Sequence, residues 1–258
     1  MDEKHWTKQD LQGKQDLEVG IYNKQDYGSF RFFGPTIYIG QMDPVIIEQI
    51  KDVGNKARQD PKRYDMRKQL AGNLSEEYNL KLLVQDNDDP IYQEIKKHCA
   101  RYICGAEHGM AEYQSDHYIK NIEMESMWIN YQKQYEWQPE HSHSGHLSFV
   151  LYCQIPNSLR EEEQHPTQQG NSPMSGAITL SYGEDNTYNT TVKHIMPETG
   201  DIIVFPNWLR HYVYPFVSDV ERIAVAGNVF TDKTFAGDTK WKDSPYTDKD
   251  LKKLNEVN

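Results

Sequence analysis

The sequence predicts an α+β protein, mainly β, in which a β-sandwich or jelly roll is backed by helices on one face. Two observations carry this. From about Ile119 to Phe230, short runs rich in Ile, Val, Tyr, Phe and Trp alternate with turn clusters, the texture of an antiparallel sheet assembly. Ahead of them, two Asp-Pro steps open segments of helical periodicity, and helices followed by strands is the order of a sheet assembly with helices packed against it.

Taken in order, a strand pattern begins at Phe30 and continues through Thr36, Ile37, Tyr38 and Ile39. Asp43-Pro44 then opens a helix, since Asp is a good N-cap and Pro suits the first helical position. Its apolar stripe is Ile46, Ile47, Ile50 and Val53. Asp89-Pro90 repeats the signal, with Ile91, Ile95, Cys99, Tyr102 and Ile103 at helical spacing and an expected end near Gly105. His98 and His108 are expected to flank that end, where the helix dipole favours them. The strand runs follow at 119–132, 146–155, 176–183, 190–196, 201–206 and 221–230. Between them, 156–175 is polar and Pro/Gly-containing, and a loop of that length in a compact domain is usually functional or disordered. It and segment 60–86 are candidate substrate lids, and Glu161-Glu162-Glu163 reads as a solvated loop face. The whole, 1–258, reads as one domain: a polar arm over 1–27, a helical support region over 28–118, the core over 119–230, and a polar tail over 231–258 with a short helix expected at 248–255.

Composition removes several functions. The 258 residues carry 28 Lys+Arg against 39 Asp+Glu, a net charge of −11, which disfavours a nucleic-acid partner. No run approaches the 18 or so apolar residues of a membrane span. The N-terminus has no apolar signal region. Three cysteines (Cys99, Cys104, Cys153) exclude a disulfide framework and favour a reducing, cytoplasmic setting. No phosphate-cradling glycine motif and no C-x-x-C pair is present.

Two constellations carry chemistry. In Glu140-His141-Ser142-His143-Ser144-Gly145-His146, residues i and i+2 of an extended chain face the same side. His141 and His143 therefore point together, roughly 6.5–7 Å apart along the backbone, and can converge on one metal. Glu140 has the opposite parity, and so does His146 unless Ser144-Gly145 forms a bulge. A bare H-x-H is also what a polar surface turn looks like, so the second constellation matters. Gly200-Asp201-Ile202-Ile203-Val204-Phe205-Pro206 reads as a turn and a buried strand, followed by His211 and, eleven residues on, by Arg222 at the mouth of an apolar strand. An inward-facing arginine is costly unless it meets an anion, and its planar fork suits a carboxylate. Alone, it reads more readily as half of a structural salt bridge to an acidic residue.

In this order (H-x-H, strand, long loop, strands, G-D-x-x-x-F-P, His, eleven residues, Arg) the chain resembles the iron(II)/2-oxoglutarate-dependent dioxygenase superfamily, and within it the prolyl-hydroxylase-related oxygenases of bacterial and phage type. The resemblance covers roughly residues 119–230 and is carried by WQPEHSHSGHLSFVLYCQIP and ETGDIIVFPNWLRHYVYP. It implies a double-stranded β-helix, or jelly roll. It implies that His141 and His211 bind iron(II) and that His143 stands where the superfamily usually has Asp or Glu. Arg222 would grip the far carboxylate of 2-oxoglutarate, with Tyr152 hydrogen-bonding the same group. Asn228 and Tyr131 are further pocket candidates. By parity, Ser148, Val150 and Tyr152 line the cavity. The implied reaction consumes oxygen as co-substrate, hydroxylates a C–H bond of a peptidyl proline or a small molecule, and releases succinate and carbon dioxide. The third ligand is left between His143, His146 and a carboxylate, because the common facial triad is two His and one carboxylate. Two other classes fit less of the pattern: a 2-oxoglutarate-independent cupin-like dioxygenase, which leaves Arg222 without a task, and a non-enzymatic jelly roll that binds a peptide or sugar on Trp128, Trp137 and Trp208.

Overall fold

The computed structural model describes residues 28–31, 34–108, 116–162, 174–187 and 190–231. The expected N-terminal arm, the tail beyond Thr231 with its helix, and most of the 156–175 loop lie outside the described residues.

Two antiparallel sheets face each other. The strands are β1 (Gly28–Arg31), β2 (Thr36–Gln41), β3 (Glu77–Asn79), β4 (Ile122–Gln132), β5 (Gln138–His141), β6 (Leu147–Gln154), β7 (Ile178–Ser181), β8 (Val192–Ile195), β9 (Asp201–Pro206), β10 (Arg210–Val213) and β11 (Arg222–Thr231). The seven-stranded sheet has the order β1-β2-β9-β6-β11-β4-β3, and the four-stranded sheet β5-β10-β7-β8. Sequence-adjacent strands repeatedly land in opposite sheets, which is the jelly-roll connection.

Alternation along the central strands separates two cores. Val150, Tyr152, Ile203, Phe205 and Ala224 face the minor sheet, where they meet Ile178, Leu180, Ile195 and Val213. The intervening Phe149, Leu151, Cys153, Val204 and Val225 face the helices. Every one of these strands is buried on both faces, so each reads as a continuous apolar run rather than an alternating one.

Helix α1 (Pro44–Gln59) starts as its sequence predicts: the Asp43 carboxylate accepts the Val45 N–H at 2.8 Å, and Pro44 takes the first turn. It buries Ile47, Ile50, Gly54 and Ala57. At Gly54 a Cβ would collide with Ile129 and Tyr131, so glycine sets the closeness of helix and sheet. A single turn, α2 (Pro61–Tyr64), follows. Helix α3 (Pro90–His108) is capped by Asp89, whose carboxylate accepts the Ile91 N–H at 2.8 Å. It continues past Gly105. His98 is consequently not at a helix end but in mid-helix and fully buried, its Nδ1 2.9 Å from the Tyr38 hydroxyl. Short turns α4 (Asp116–Ile119) and α5 (Ser158–Glu161) complete the helices among the described residues.

Segment 60–86 is a wall and not a free lid: Tyr64, Tyr78, Leu80 and Val84 are buried in the helix-side core. Glu162, expected on a solvated face, is buried. Its carboxylate accepts the backbone N–H groups of Val217 (3.1 Å) and Ser218 (2.6 Å), tying the start of the 156–175 loop to the β10–β11 connection. Among the described residues no helix is long and apolar enough to cross a membrane.

Candidate active site

Strands β5 and β10 are neighbours, with His141 and His211 as direct cross-strand partners. Both therefore project from one face of the minor sheet. Beyond His141 the chain turns, and the turn is stitched to the β9–β10 connection by reciprocal bonds. The His143 N–H donates to the Asn207 carbonyl at 2.9 Å, and Asn207 Nδ2 donates back to the His143 carbonyl at 3.0 Å. This brings one ring nitrogen from each of His141, His143 and His211 within 4.8 Å of the others.

The detail of the cluster suits a cation. His141 Nδ1 lies 2.7 Å from the Pro139 carbonyl and His211 Nδ1 lies 2.9 Å from the Leu209 carbonyl. A carbonyl only accepts, so each Nδ1 carries the proton and each Nε2 presents its lone pair to the cluster. Nε2 of His143 and of His211 are 3.0 Å apart. Two lone pairs do not face each other at that distance without a proton or a cation between them. Burial lowers the pKa of all three, and repulsion from neighbouring rings adds to it in two: His211 falls to about 3, His143 well below its ordinary value, and His141 falls through burial alone. All three rings are thus uncharged near neutral pH, and His143 Nε2 faces His211 Nε2 either as an N–H donor or, in its other tautomer, as a second lone pair for a cation. Metal–imidazole bonds of about 2.0–2.1 Å at right angles would separate two nitrogens by about 3 Å, the spacing observed. Trp128 packs on His143 (5.6 Å between ring centroids) and Phe205 meets His211 edge-on (4.8 Å), closing two sides with apolar surface.

Arg222 opens β11 with its side chain 3 % exposed. One nitrogen, Nη1, donates to Gln132 Oε1 at 3.0 Å, and the guanidinium carbon sits 4.9 Å from the centroid of the Tyr152 ring. Among the described residues neither Nε nor Nη2 has an acceptor, and the Tyr152 hydroxyl has no partner within hydrogen-bond geometry. Burial lowers the Arg222 pKa and raises that of Tyr152, so the guanidinium remains the cation and the phenol stays protonated. The Tyr152 hydroxyl and the guanidinium lie close enough to act on each other, and beyond that contact the buried Nε and Nη2 find no acceptor among the described residues, which is costly.

Residues 126–228, about two-fifths of the chain, match the family described as "Putative 2OG-Fe(II) oxygenase". The matched stretch runs from β4 to β11 and takes in the triad, Arg222 and Tyr152. Similar solved structures include a 2OG-Fe(II) oxygenase family oxidoreductase from Burkholderia pseudomallei (12 % identity, 84 % of this chain and 87 % of that one, TM-score 0.41). Another is a Pseudomonas putida prolyl-4-hydroxylase (13 % identity, 77 % and 93 %, TM-score 0.42). A third is HygX from Streptomyces hygroscopicus, solved with nickel and 2-oxoglutarate bound (9 % identity, 76 % and 82 %, TM-score 0.44). No curated protein sequence matches the chain.

Within this core, the predicted residues divide. His141, His143 and His211 come together, and so do Arg222 and Tyr152. His146 does not join the triad: its Nδ1 accepts the Thr231 N–H at 2.9 Å and its ring packs on Phe230. Gly145, at φ +82°, turns the chain between the two histidines. Glu140 points to the outer face, where it meets Ser181 and Arg210. Asn228 shares the inner face of β11 with Arg222 but lies six residues, about 20 Å, along the strand. Its amide bridges Ser148 (2.9 Å) and Ser126 (3.0 Å) beneath the His143–His146 turn. Tyr131 is a correction. It faces the helix layer, under Arg58 at 4.3 Å and beside Tyr78, because its parity on β4 is opposite to that of Trp128 and Gln132. Sequence reasoning missed Gln132 and Asn207. Gln132 could be found only from the β4–β11 register, which sets it opposite Arg222. Asn207 carried a weak signal as the first residue of the turn leading to His211.

Proposed function

We propose that the protein is an iron(II)- and 2-oxoglutarate-dependent dioxygenase that hydroxylates a C–H bond of a small molecule or peptide, releasing succinate and carbon dioxide. The observation that carries the reading is Arg222, a buried guanidinium whose Nε and Nη2 lack acceptors among the described residues, on the Tyr152 and Phe205 side of the major sheet, the side on which His211 packs. A dianionic oxoacid answers both needs.

In this reading His141, His143 and His211 hold the iron through their Nε2 atoms. Arg222 and the Tyr152 hydroxyl bind the distal carboxylate of 2-oxoglutarate, and Gln132 fixes the guanidinium by engaging Nη1. Iron with bound oxoacid supplies oxygen activation and the oxidative decarboxylation. The chain's own task is to position and to exclude water. Pro139 and Leu209 fix the ring orientation of two ligands through their carbonyls, and Trp128, Phe205 and Val150 provide an apolar surround. Three imidazoles leave the centre one unit more positive than the common triad, which strengthens its attraction for an anionic co-substrate.

The three-histidine set also fits a cupin-like dioxygenase that uses no oxoacid, and one assay separates the two. Protein reconstituted with iron(II) should release succinate from 2-oxoglutarate under oxygen, and His211→Ala should abolish both iron retention and succinate release. Iron retained by the wild type without succinate, at saturating oxoacid, would favour the cupin-like enzyme.

A further inference from the structure

We infer that Gln132 sets the charge of the Arg222 pocket, and with it the preference for a dicarboxylate oxoacid over a monocarboxylate one. The inference rests on the dioxygenase reading and adds a specificity-determining residue to it. Gln132 ends β4, is 1 % exposed, and stands directly opposite Arg222 in the β4–β11 register. Its Oε1 accepts from Arg222 Nη1 at 3.0 Å.

The amide has one possible orientation. Its Nε2 donates to the Glu136 carbonyl at 2.7 Å, on the β4–β5 connection, and to the Tyr214 carbonyl at 3.3 Å, on the β10–β11 connection. Carbonyls only accept, so both amide hydrogens are used there and the acceptor end is left for Arg222. The side chain is thus an uncharged acceptor pinned from two separate connections. It is a positioning residue, acting on the oxoacid through the guanidinium.

Neutrality at this position leaves the arginine its charge. The carboxylates near this end of the barrel are engaged elsewhere. Glu76 and Glu221 accept from Arg58, Glu162 from the Val217 and Ser218 N–H groups, and Glu136 from those of Ser75 and Lys133. Tyr152, whose ring centre lies 4.9 Å from the guanidinium carbon, is a phenol kept protonated by burial. A carboxylate at position 132 would reach the same nitrogen and pair with it, and a buried arginine already paired has little left for a ligand's carboxylate. It would also set an oxygen against the Glu136 and Tyr214 carbonyls, where the amide sets its N–H groups. With an amide instead, the guanidinium charge is poorly screened by the interior and acts strongly on an incoming anion. An oxoacid with a second carboxylate meets that charge. One that ends in a methyl group leaves it buried and unpaired.

The test compares the anaerobic affinities of the iron(II)-loaded full chain for 2-oxoglutarate and for 2-oxopentanoate, which has the same carbon chain and lacks the distal carboxylate. Both acids carry the same metal-chelating end, so the ratio of their affinities reads the Arg222 pocket and not the metal. Wild type should prefer 2-oxoglutarate by about a hundredfold, the worth of one hydrogen-bonded contact to a buried charge. Gln132→Glu should bring that preference below about tenfold, whereas Gln132→Met, neutral and of similar length, should keep it within about threefold of wild type. A merely structural role for Gln132 would weaken both acids together and leave the ratio unmoved. A wild-type ratio in Gln132→Glu would overturn the inference. So would a collapse of the ratio in Gln132→Met, which decides the question should Gln132→Glu not fold. Wild type that binds neither acid, or binds both equally, refutes the dioxygenase reading and the inference with it. Wild type that prefers 2-oxoglutarate while Gln132→Glu prefers it as strongly refutes the inference alone.

Discussion

In the proposed site His143 stands where the common facial triad has a carboxylate, and its substitution discriminates among donor sets. His143→Asp should keep iron at one per chain, because a carboxylate is the usual third ligand. His143→Ala should lower iron affinity by at least tenfold while leaving far-ultraviolet dichroism unchanged. Iron retained by His143→Ala at wild-type affinity would remove His143 from the site. A second residue-scale feature is Glu77, buried on β3 with the Gln138 amide near its carboxyl but no well-formed hydrogen bond to either oxygen among the described residues. Burial pushes its pKa up to about 7 from 4.5. The Gln138 amide and Arg67 counter that rise, and Glu136 and Asp65 add to it. A carboxyl raised in the folded state favours folding least when ionised. Stability from this group is therefore full below about pH 4.5, is lost as pH rises to about 7, and stays lost above. The span corresponds to about 3 kcal/mol at most. Glu77→Gln should recover much of that in urea unfolding at pH 8 and almost none at pH 4.5. An equal effect of the substitution at both pH values would show that the charge is not the cause.

At the scale of elements, the strands with apolar runs were legible and the two that carry the histidines were not. β6, β9 and β11 are buried on both faces and announce themselves as Ile/Val/Phe runs. β5 reads Gln-Pro-Glu-His, short, polar and containing proline, as suits an edge strand. β10 reads Arg-His-Tyr-Val and is held by its pairing with β5 and β7, not by its own pattern. His141 and His143 were nonetheless readable as a pair, since parity needs only an extended chain. Their meeting with His211 depends on sheet register, which no local pattern encodes. Tyr131 failed for a related reason: its face follows from the β4 register against β11 and β3. The stitch between the two site-bearing turns makes Asn207 a positioning residue. Asn207→Ala removes the bond to the His143 carbonyl and should cost about 1 kcal/mol of stability. Outer-shell partners of metal ligands typically govern affinity by 10–100-fold, so Co(II) affinity, read by chelator competition, should fall by about tenfold. Unchanged affinity with lowered stability would reduce Asn207 to a structural role.

Across the whole molecule, the helical layer is fastened to the Arg222 end of the barrel. Arg58 of α1 donates to Glu76 (2.5 and 2.8 Å) and to Glu221 (2.7 and 3.1 Å), the residue before Arg222, while Lys133 also contacts Glu76. The helix-side core continues this join, with Ile47, Ile50 and Ile95 packed among Ile129, Leu151 and Val225. The central claim is that one interior holds a metal at three imidazoles and a carboxylate at Arg222. Anaerobic calorimetric titration of 2-oxoglutarate into iron(II)-loaded protein tests it most directly. One oxoacid should bind per chain, only when iron is present. Tyr152→Phe should cost about 1–2 kcal/mol for one lost hydrogen bond. Arg222→Ala should cost about 3–5 kcal/mol, some hundreds- to thousands-fold in affinity, for a carboxylate left unpaired. Binding of the oxoacid by Arg222→Ala as tightly as by the wild type, or no binding by iron-loaded wild type, would contradict the account.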